Sequence, residues 1–307
     1  MNTKRHTFVS VETTSFSGAT LLAFVLNAHP QIASIGEMNG LHPKADVETY
    51  VCSCGQKIRS CDFWHAMTCS MEQKGFNFDV ADFDLQFQLG GPDLVQRLRR
   101  GSFRNNTLDD VRDSIFHAWP AEKQQIKQAV ERNQAFIQSV LTVTNKDVLV
   151  DTAKDRIRLR ALRKFSTLNV RIIHLVRDVR GVVASWLRRG RNNIPESATQ
   201  WVKWHNRLEK SWGTLPADTY IRIRYEDLCQ DVPGTLKQLY KFCGVDSEIE
   251  IDDFRQASHH IVGNQMRLDN LSKIKLDERW RNTLTREQLQ QINKLAGDLN
   301  RHYGYSN

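Results

Sequence analysis

Residues 7–30 read TFVSVETTSFSGATLLAFVLNAHP. A short β-rich run, Thr7 to Val11, passes through a small polar loop, Thr13 to Thr20, into an apolar helical stretch carrying Leu21, Leu22, Phe24, Val25 and Leu26. Strand, small polar loop and helix in that order make a phosphate cradle, because the loop N–H groups and the helix N-terminus both point at an anion. Gly18 permits close backbone approach, and Ser17 and Thr20 add hydroxyl donors. The loop departs from the G-x-x-x-x-G-K-[ST] form: Ala19 replaces the lysine and Thr13 stands where the first glycine belongs. That argues against an ordinary ATPase or GTPase. Taken alone, the loop could equally be a helix N-cap.

Working outward, three further β-rich runs stand out: Val148 to Val150, Val170 to Val176, and Tyr220 to Ile223, the last interrupted by Arg222. Most lead through a polar loop into a helical pattern. Alternating strands and helices predict an α/β fold, a P-loop-like parallel sheet flanked by helices with right-handed crossovers. Residues 40–145 interrupt that alternation. They carry a cysteine cluster, a Gly90-Gly91-Pro92 turn and an amphipathic helix from Ala121 to Leu141, and are far longer than an ordinary connection. The expectation is a single domain over residues 1–307, with 40–145 as a mostly helical insertion capping the sheet; a plain second layer of the core is the alternative. On a helix from Glu196 to Trp212, Trp201, Trp204, His205 and Leu208 recur at helical spacing and read as a packed face, with His205 a structural histidine. A last helix, Thr285 to His302, sets Leu289, Ile292, Leu295 and Leu299 on one face.

The chain has 307 residues, 40% hydrophobic and 25% charged, which is globular composition. A net charge of +8 favours an anionic partner. The basic residues are scattered without an aromatic-basic ladder, so no nucleic-acid partner is expected. No apolar run suits a signal peptide or a membrane span, which makes a cytoplasmic location the expectation. Six cysteines include Cys52, Cys54 and Cys61 close together, Cys69 just beyond, and Cys229 and Cys243 far away. C-x-C-x6-C is not a standard zinc spacing, and a fourth ligand would have to be Cys69, His65 or something distant. Reduced structural thiols are therefore favoured over a metal, and no metal site is expected.

Four more motifs follow in order. Val150-Asp151-Thr152-Ala153-Lys154-Asp155 leaves the second of the four strands. His174-Leu175-Val176-Arg177-Asp178 ends the third, with Ser185 eight residues after Arg177 and Arg189 one further turn along. An arginine at a strand end offers a bidentate fork to phosphate, and a helix hydroxyl two turns on can complete the site. Arg224-Tyr225-Glu226-Asp227-Leu228 follows the fourth strand, and Gly263-Asn264-Gln265-Met266-Arg267 precedes Lys273, Lys275 and Trp280.

With Ser15 to Pro30 and Gly36-Glu37, these motifs resemble the sulfotransferase superfamily, and relatives of bacterial and tyrosylprotein type in particular. The resemblance runs from Thr7 to Tyr305 and is weakest over residues 40–145, although the C-x-C-G…C-x-F-W pattern of Cys52 to Trp64 also occurs in some bacterial relatives. It implies binding of 3′-phosphoadenosine 5′-phosphosulfate (PAPS), with PAP (3′-phosphoadenosine 5′-phosphate) as product. Ser17, Gly18, Ala19, Thr20 and Leu21 would form the 5′-phosphosulfate loop. Arg177, Ser185 and Arg189 would hold the 3′-phosphate, Tyr225 would lie beside the adenosine, and Arg267 would add a phosphate contact from a segment that closes over the nucleotide.

Sulfuryl transfer is an in-line displacement like phosphoryl transfer, so the protein must stabilise charge on the leaving phosphate and take a proton from the acceptor. The resemblance implies Lys154 near the transferring group and Glu37 as general base; His29 reads as structural. Relatives carry Lys or Arg just before the Ser-Gly of the loop, where this chain has Phe16. The expected function is sulfuryl transfer from PAPS to a hydroxyl or amine of a small-molecule, carbohydrate or peptide acceptor. The alternative is a PAPS/PAP-binding pseudoenzyme with little turnover. Oligomeric state is left open by the sequence.

Overall fold

The computed structural model describes residues 5–87, 119–190, 193–263, 265–268 and 274–306, with positions 93, 96, 111, 112, 114 and 115. The expected Gly90-Gly91-Pro92 turn, Asn264 and Lys273 lie outside the described residues. Five strands, β1 (Thr7–Glu12), β2 (Ile32–Gly36), β3 (Val148–Asp151), β4 (Asn169–Val176) and β5 (Tyr220–Arg224), form a sheet of order β2-β3-β1-β4-β5 with parallel pairing. The α/β class and the parallel sheet agree with the sequence reading. β2 is the strand that reading lacks. All five of its residues are buried, yet Ala33, Ser34 and Gly36 dilute the β-branched signal. Its Ser34 is tolerated in the interior because the hydroxyl donates to Val150 O at 2.8 Å.

β5 is only partly buried, and Arg222 faces outward to pair with Glu209 at 2.8 Å. An edge strand keeps one flank open to water, which accounts for a charge inside a strand pattern.

Among the described residues, the α-helices with both ends described are α1 (Ala19–Asn27), α2 (Asp62–Gln73), α3 (Pro120–Thr144), α4 (Arg156–Phe165), α5 (Val179–Arg188), α6 (Ile194–Trp212), α7 (Tyr225–Gln230), α8 (Val232–Cys243), α9 (Trp280–Thr283) and α10 (Arg286–His302). On α6, Trp201, His205 and Leu208 are buried as expected and Trp204 is half-buried. On α10, Ile292 is buried and Leu289 and Leu299 pack partly buried against the same core, as expected; Leu295 is the exception at 40% exposed, and Ala296 and Asn300 turn inward instead. Asn300 Oδ1 accepts from the first N–H of α5, Val179 N, at 3.1 Å.

The chain packs as two compact units. The first comprises Met1–Ser10, Leu22–Arg171 and Ile251–Ser272; the second comprises Val11–Leu21, Ile172–Glu250 and Lys273–Asn307. The described residues of 40–145 belong to the first unit and contribute α2 and α3 to it. In that unit, Trp64, Phe78, Phe83 and Phe136 form an aromatic cluster with ring centroids 5.1–6.3 Å apart. The core of the second unit joins Val182, Val183, Trp186, Trp201, Ile292 and Tyr303, with Phe16 packed partly against it. No helix among the described residues is long and apolar enough to cross a membrane.

Candidate active site

In the second unit, strand register does the first part of the work. Val176 lies opposite Arg224, so the next residue of each strand, Arg177 and Tyr225, emerge side by side. The Arg177 guanidinium carbon stands 4.5 Å from the Tyr225 ring centroid, a cation–π contact on a buried tyrosine. The same ring packs against the loop. A Cβ on Gly18 would fall 2.4 Å from Tyr225 Cδ2, and the Gly18 φ is +91°, so glycine is required twice over. Arg177 Nη1 donates to Phe16 O at 2.8 Å, which ties the strand-end arginine to the loop backbone. Inside the loop, the Thr14 and Ser17 hydroxyls share a 2.8 Å hydrogen bond. α1 then begins at Ala19, so the N–H groups of Ala19, Thr20 and Leu21 have no partner within their own helix.

The helix after Arg177 is fitted to it. A Cβ on Gly181 would approach Arg177 Nε to 3.0 Å, so a larger residue would crowd the guanidinium. Ser185 is buried, and its hydroxyl donates to Gly181 O at 2.8 Å. Arg189 ends α5, exposed, with its guanidinium carbon 4.9 Å from the Phe16 ring centroid. Phe16 itself has φ +64°, a region that bulky residues rarely occupy. Burial first, and then repulsion from Arg279, Arg177 and Arg189, holds Arg188 below its ordinary value, which marks a concentration of positive charge. Asp277 answers it. Arg177 Nη2 donates to Asp277 O at 2.9 Å and lies 3.2 Å from Asp277 Oδ2, while Arg279 grips the same carboxylate at 2.7 and 2.8 Å. The Arg279 hydrogen bonds, with Arg177 behind them, hold the Asp277 carboxyl far below the usual range.

Two motifs are also bolted together. Glu226 accepts from Asp178 N at 3.1 Å and from Tyr305 Oη at 2.6 Å, and burial pushes its carboxyl upward. The Asp178 side chain accepts from Arg180 N at 2.9 Å and so caps α5.

The first unit holds Glu37, Lys154 and Arg267. Here Gly36 lies opposite Asp151, so β2 and β3 end level. Asp151 Oδ1 accepts from Met38 N and from Ala153 N, both at 2.9 Å, and thereby holds the residues next to Glu37 and next to Lys154. Lys154 Nζ donates to Glu37 Oε1 at 3.2 Å. Asp151 is kept in place by Arg158, which is 1% exposed, through Nη1 at 3.2 Å; Arg158 Nη2 also donates to Asn39 Oδ1 at 2.8 Å. Burial raises the Asp151 carboxyl and Arg158 opposes that shift. Arg267 turns into its own unit, donating to Val51 O at 3.2 Å and Gly263 O at 3.0 Å, with its guanidinium carbon 4.1 Å from the Tyr50 ring centroid. Lys275 is an exposed residue of the second unit.

The structure thus gathers Ser17, Gly18, Ala19, Thr20, Leu21, Arg177, Ser185, Arg189 and Tyr225 in the second unit, and Glu37, Lys154 and Arg267 in the first. Sequence reasoning missed Asp277, Gly181 and the Asp151–Arg158 pair. Asp277 carried no signal beyond a carboxylate between Lys275 and Trp280, whereas an arginine seven residues after a strand-end aspartate was a visible cue.

The sulfotransferase family model matches residues 16–248, more than half of the chain. Carbohydrate sulfotransferase 5 of Mus musculus is 26% identical over 166 residues, 45% of this chain and 42% of that protein. Carbohydrate sulfotransferase 3 of Homo sapiens is 27% identical over 173 residues, 48% of this chain and 36% of that protein. The chain thus spans well under half the length of the curated relatives it matches. Among solved structures, the sulfotransferase domain of the Synechococcus PCC 7002 olefin synthase superposes with a TM-score of 0.53 at 18% identity, covering 100% of this chain and 98% of that one. The sulfotransferase domain of the curacin biosynthetic pathway gives 0.51 at 15% identity, covering 99% of each. By the extent of the family match, and with the fold these structures share, the chain belongs to the sulfotransferase superfamily.

Proposed function

We propose that the chain moves a sulfuryl group from PAPS to a hydroxyl or amine acceptor, with PAP as the leaving product. The observation that carries this reading is the joining of three distant motifs in the second unit. Arg177 touches the Phe16 carbonyl of the loop and stacks on Tyr225, which in turn packs on Gly18. The donor set suits a molecule with two phosphate ends: the first N–H groups of α1 and hydroxyls at the loop, and arginines with Ser185 at the strand end.

When bound, PAPS supplies the transferable sulfuryl group. The chain's own residues supply positioning and charge. The N–H groups of Ala19, Thr20 and Leu21 are fixed donors that need no reorganisation as charge grows on the 5′-phosphate. Arg177 exchanges its Asp277 contact for the 3′-phosphate, a stronger anion. Glu37, as a carboxylate, is an acceptor only, the form that takes a proton from an acceptor hydroxyl or amine. Lys154 presents an ammonium beside it. The acceptor is a small molecule, a carbohydrate or a peptide, and the names of the mouse and human relatives put carbohydrates first for testing. Cytoplasmic residence fits a soluble PAPS pool.

A second reading rests on Phe16, which puts no cation at its position in the loop. Arg189 lies over the ring, so a guanidinium stands beside that position from α5. The test is release of PAP from PAPS with a panel of sugar, phenol and peptide acceptors, for the native chain, Phe16→Arg and Lys154→Ala. Acceptor-dependent turnover by the native chain, cut on the order of a hundredfold in Lys154→Ala, is expected. Turnover only in Phe16→Arg would favour the nucleotide-binding pseudoenzyme.

A further inference from the structure

The first unit contains a cluster outside this machinery. The ligand atoms of Cys52, Cys54, Cys61 and His260 all lie within 4.8 Å of one another. Cys54 Sγ and Cys61 Sγ are 3.6 Å apart; His260 Nδ1 is 3.3 Å from Cys61 Sγ and 3.8 Å from Cys52 Sγ. Tetrahedral zinc, with Zn–S about 2.3 Å and Zn–N about 2.0 Å, requires sulfurs about 3.8 Å apart and sulfur–nitrogen pairs about 3.5 Å apart. These three spacings lie close to that requirement, whereas a disulfide needs its sulfurs at about 2.05 Å. His65 and Cys69, the nearby candidates by sequence, are exposed on α2 and are not in the cluster.

The backbone is shaped to present these atoms. Val51 and Lys57 form an antiparallel bridge, Cys52 N donates to Gln56 O at 2.9 Å, and Gly55 turns the loop with φ +91°. Cys61 stands at the N-cap of α2, so the helix fixes where its Sγ points. His260 is oriented from outside the cluster: Nε2 lies 3.2 Å from Ser258 Oγ, and its ring stacks on Phe63 at 4.4 Å and 10°. A fixed outer partner of this kind typically orients a metal-binding imidazole.

We propose that Cys52, Cys54, Cys61 and His260 Nδ1 form a closed Cys3His site for one zinc(II) ion that pins residues 50–61 to residues 258–263. Three thiol protons leave to solvent as three Zn–S bonds form, and no electron is transferred. Four protein ligands leave no open position, so the site is structural. What it secures is already threaded by polar contacts: Ile261 N to Ser53 Oγ at 2.7 Å, Gly263 N to Tyr50 Oη at 2.9 Å, and Arg267 Nε to Val51 O. The same segment pairs with the end of β2, Val262 N donating to Ile35 O at 2.8 Å, one residue before the Gly36-Glu37 turn.

The test uses the full chain purified under reducing conditions, with zinc content by elemental analysis and native mass. One zinc per chain is expected. Cobalt(II) in its place should give the intense visible bands of a tetrahedral thiolate site. Cys61→Ser and His260→Ala should weaken zinc binding by at least tenfold, while Cys69→Ser leaves it unchanged. If the first two variants do not fold, the native chain still decides: zinc should slow alkylation of the exposed Cys54 and leave that of Cys69 alone. The proposal is overturned by a chain that takes up no zinc on reconstitution, by equal Cys54 alkylation with and without zinc, or by a Cys54–Cys61 disulfide in protein whose thiols were blocked at lysis. None of these readouts involves nucleotide, so the outcome is independent of the sulfuryl-transfer reading.

Discussion

Gly18 is the residue on which the loop turns. Its φ of +91° and the Tyr225 ring 2.4 Å from a would-be Cβ set two separate demands. Gly18→Ala is expected to lose about 1–3 kcal/mol of stability from the left-handed conformation, and to push Tyr225 off its stacked place. PAP affinity should fall with it, measured by titration beside a denaturant melt. Native-like binding in Gly18→Ala would mean that Tyr225 moves freely. Phe16 is the opposite case, a bulky side chain at φ +64° held between Arg189 and the core. Its neighbours explain how the ring is accommodated, but not why the position lacks a cation.

At the scale of elements, register explains the site. Val176 opposite Arg224 brings Arg177 beside Tyr225, and Gly36 opposite Asp151 brings Glu37 level with the Lys154 loop. The Asp151–Arg158 pair holds that second arrangement from beneath, buried on both sides. Arg158→Ala should destabilise the chain by about 3–5 kcal/mol, because it strands a buried carboxylate. Arg59, in an exposed pair with Glu48, should cost far less when replaced by alanine, because water screens the pair. Denaturant unfolding of both variants checks the contrast, and equal losses would contradict it. Four of the five strands were legible in the sequence: β1, β3 and β4 are buried, apolar and β-branched, and β5 keeps Ile221 and Ile223 on either side of its outward Arg222. β2 was not, because its Ala, Ser and Gly residues are chosen for hydrogen bonding and a tight turn. The loop from Thr13 to Thr20 and the strand-end arginine were legible as local motifs. Asp277 and Gly181 were not, since their parts depend on which chain segment returns to Arg177, and no local pattern records that.

For the molecule as a whole, buried histidines set the response to acid. His174 and His205 share a 2.7 Å contact inside the second unit, and His174 Nδ1 meets Tyr220 Oη at 2.7 Å. Burial pushes His205 down to about 3, and burial with the neighbouring His205 and Arg222 pushes His174 well below its ordinary 6.5. Unfolding frees both to take up protons below 6.5, so stability is full above that value and falls as pH drops toward the folded values. At about pH 5 the loss should be about 2 kcal/mol for each histidine relative to about pH 7.5, read from unfolding free energies at the two pH values. No loss over that interval would mean the pair is charged in the folded chain. The central claim, that the second unit holds a nucleotide by its 3′-phosphate, is tested most directly by calorimetric titration with PAP, with AMP, which lacks that phosphate, and with PAP against Arg177→Ala. PAP should bind the native chain, and both controls should be weaker by about ten- to a hundredfold. Equal binding of PAP and AMP, or binding of PAP untouched by Arg177→Ala, would contradict the account.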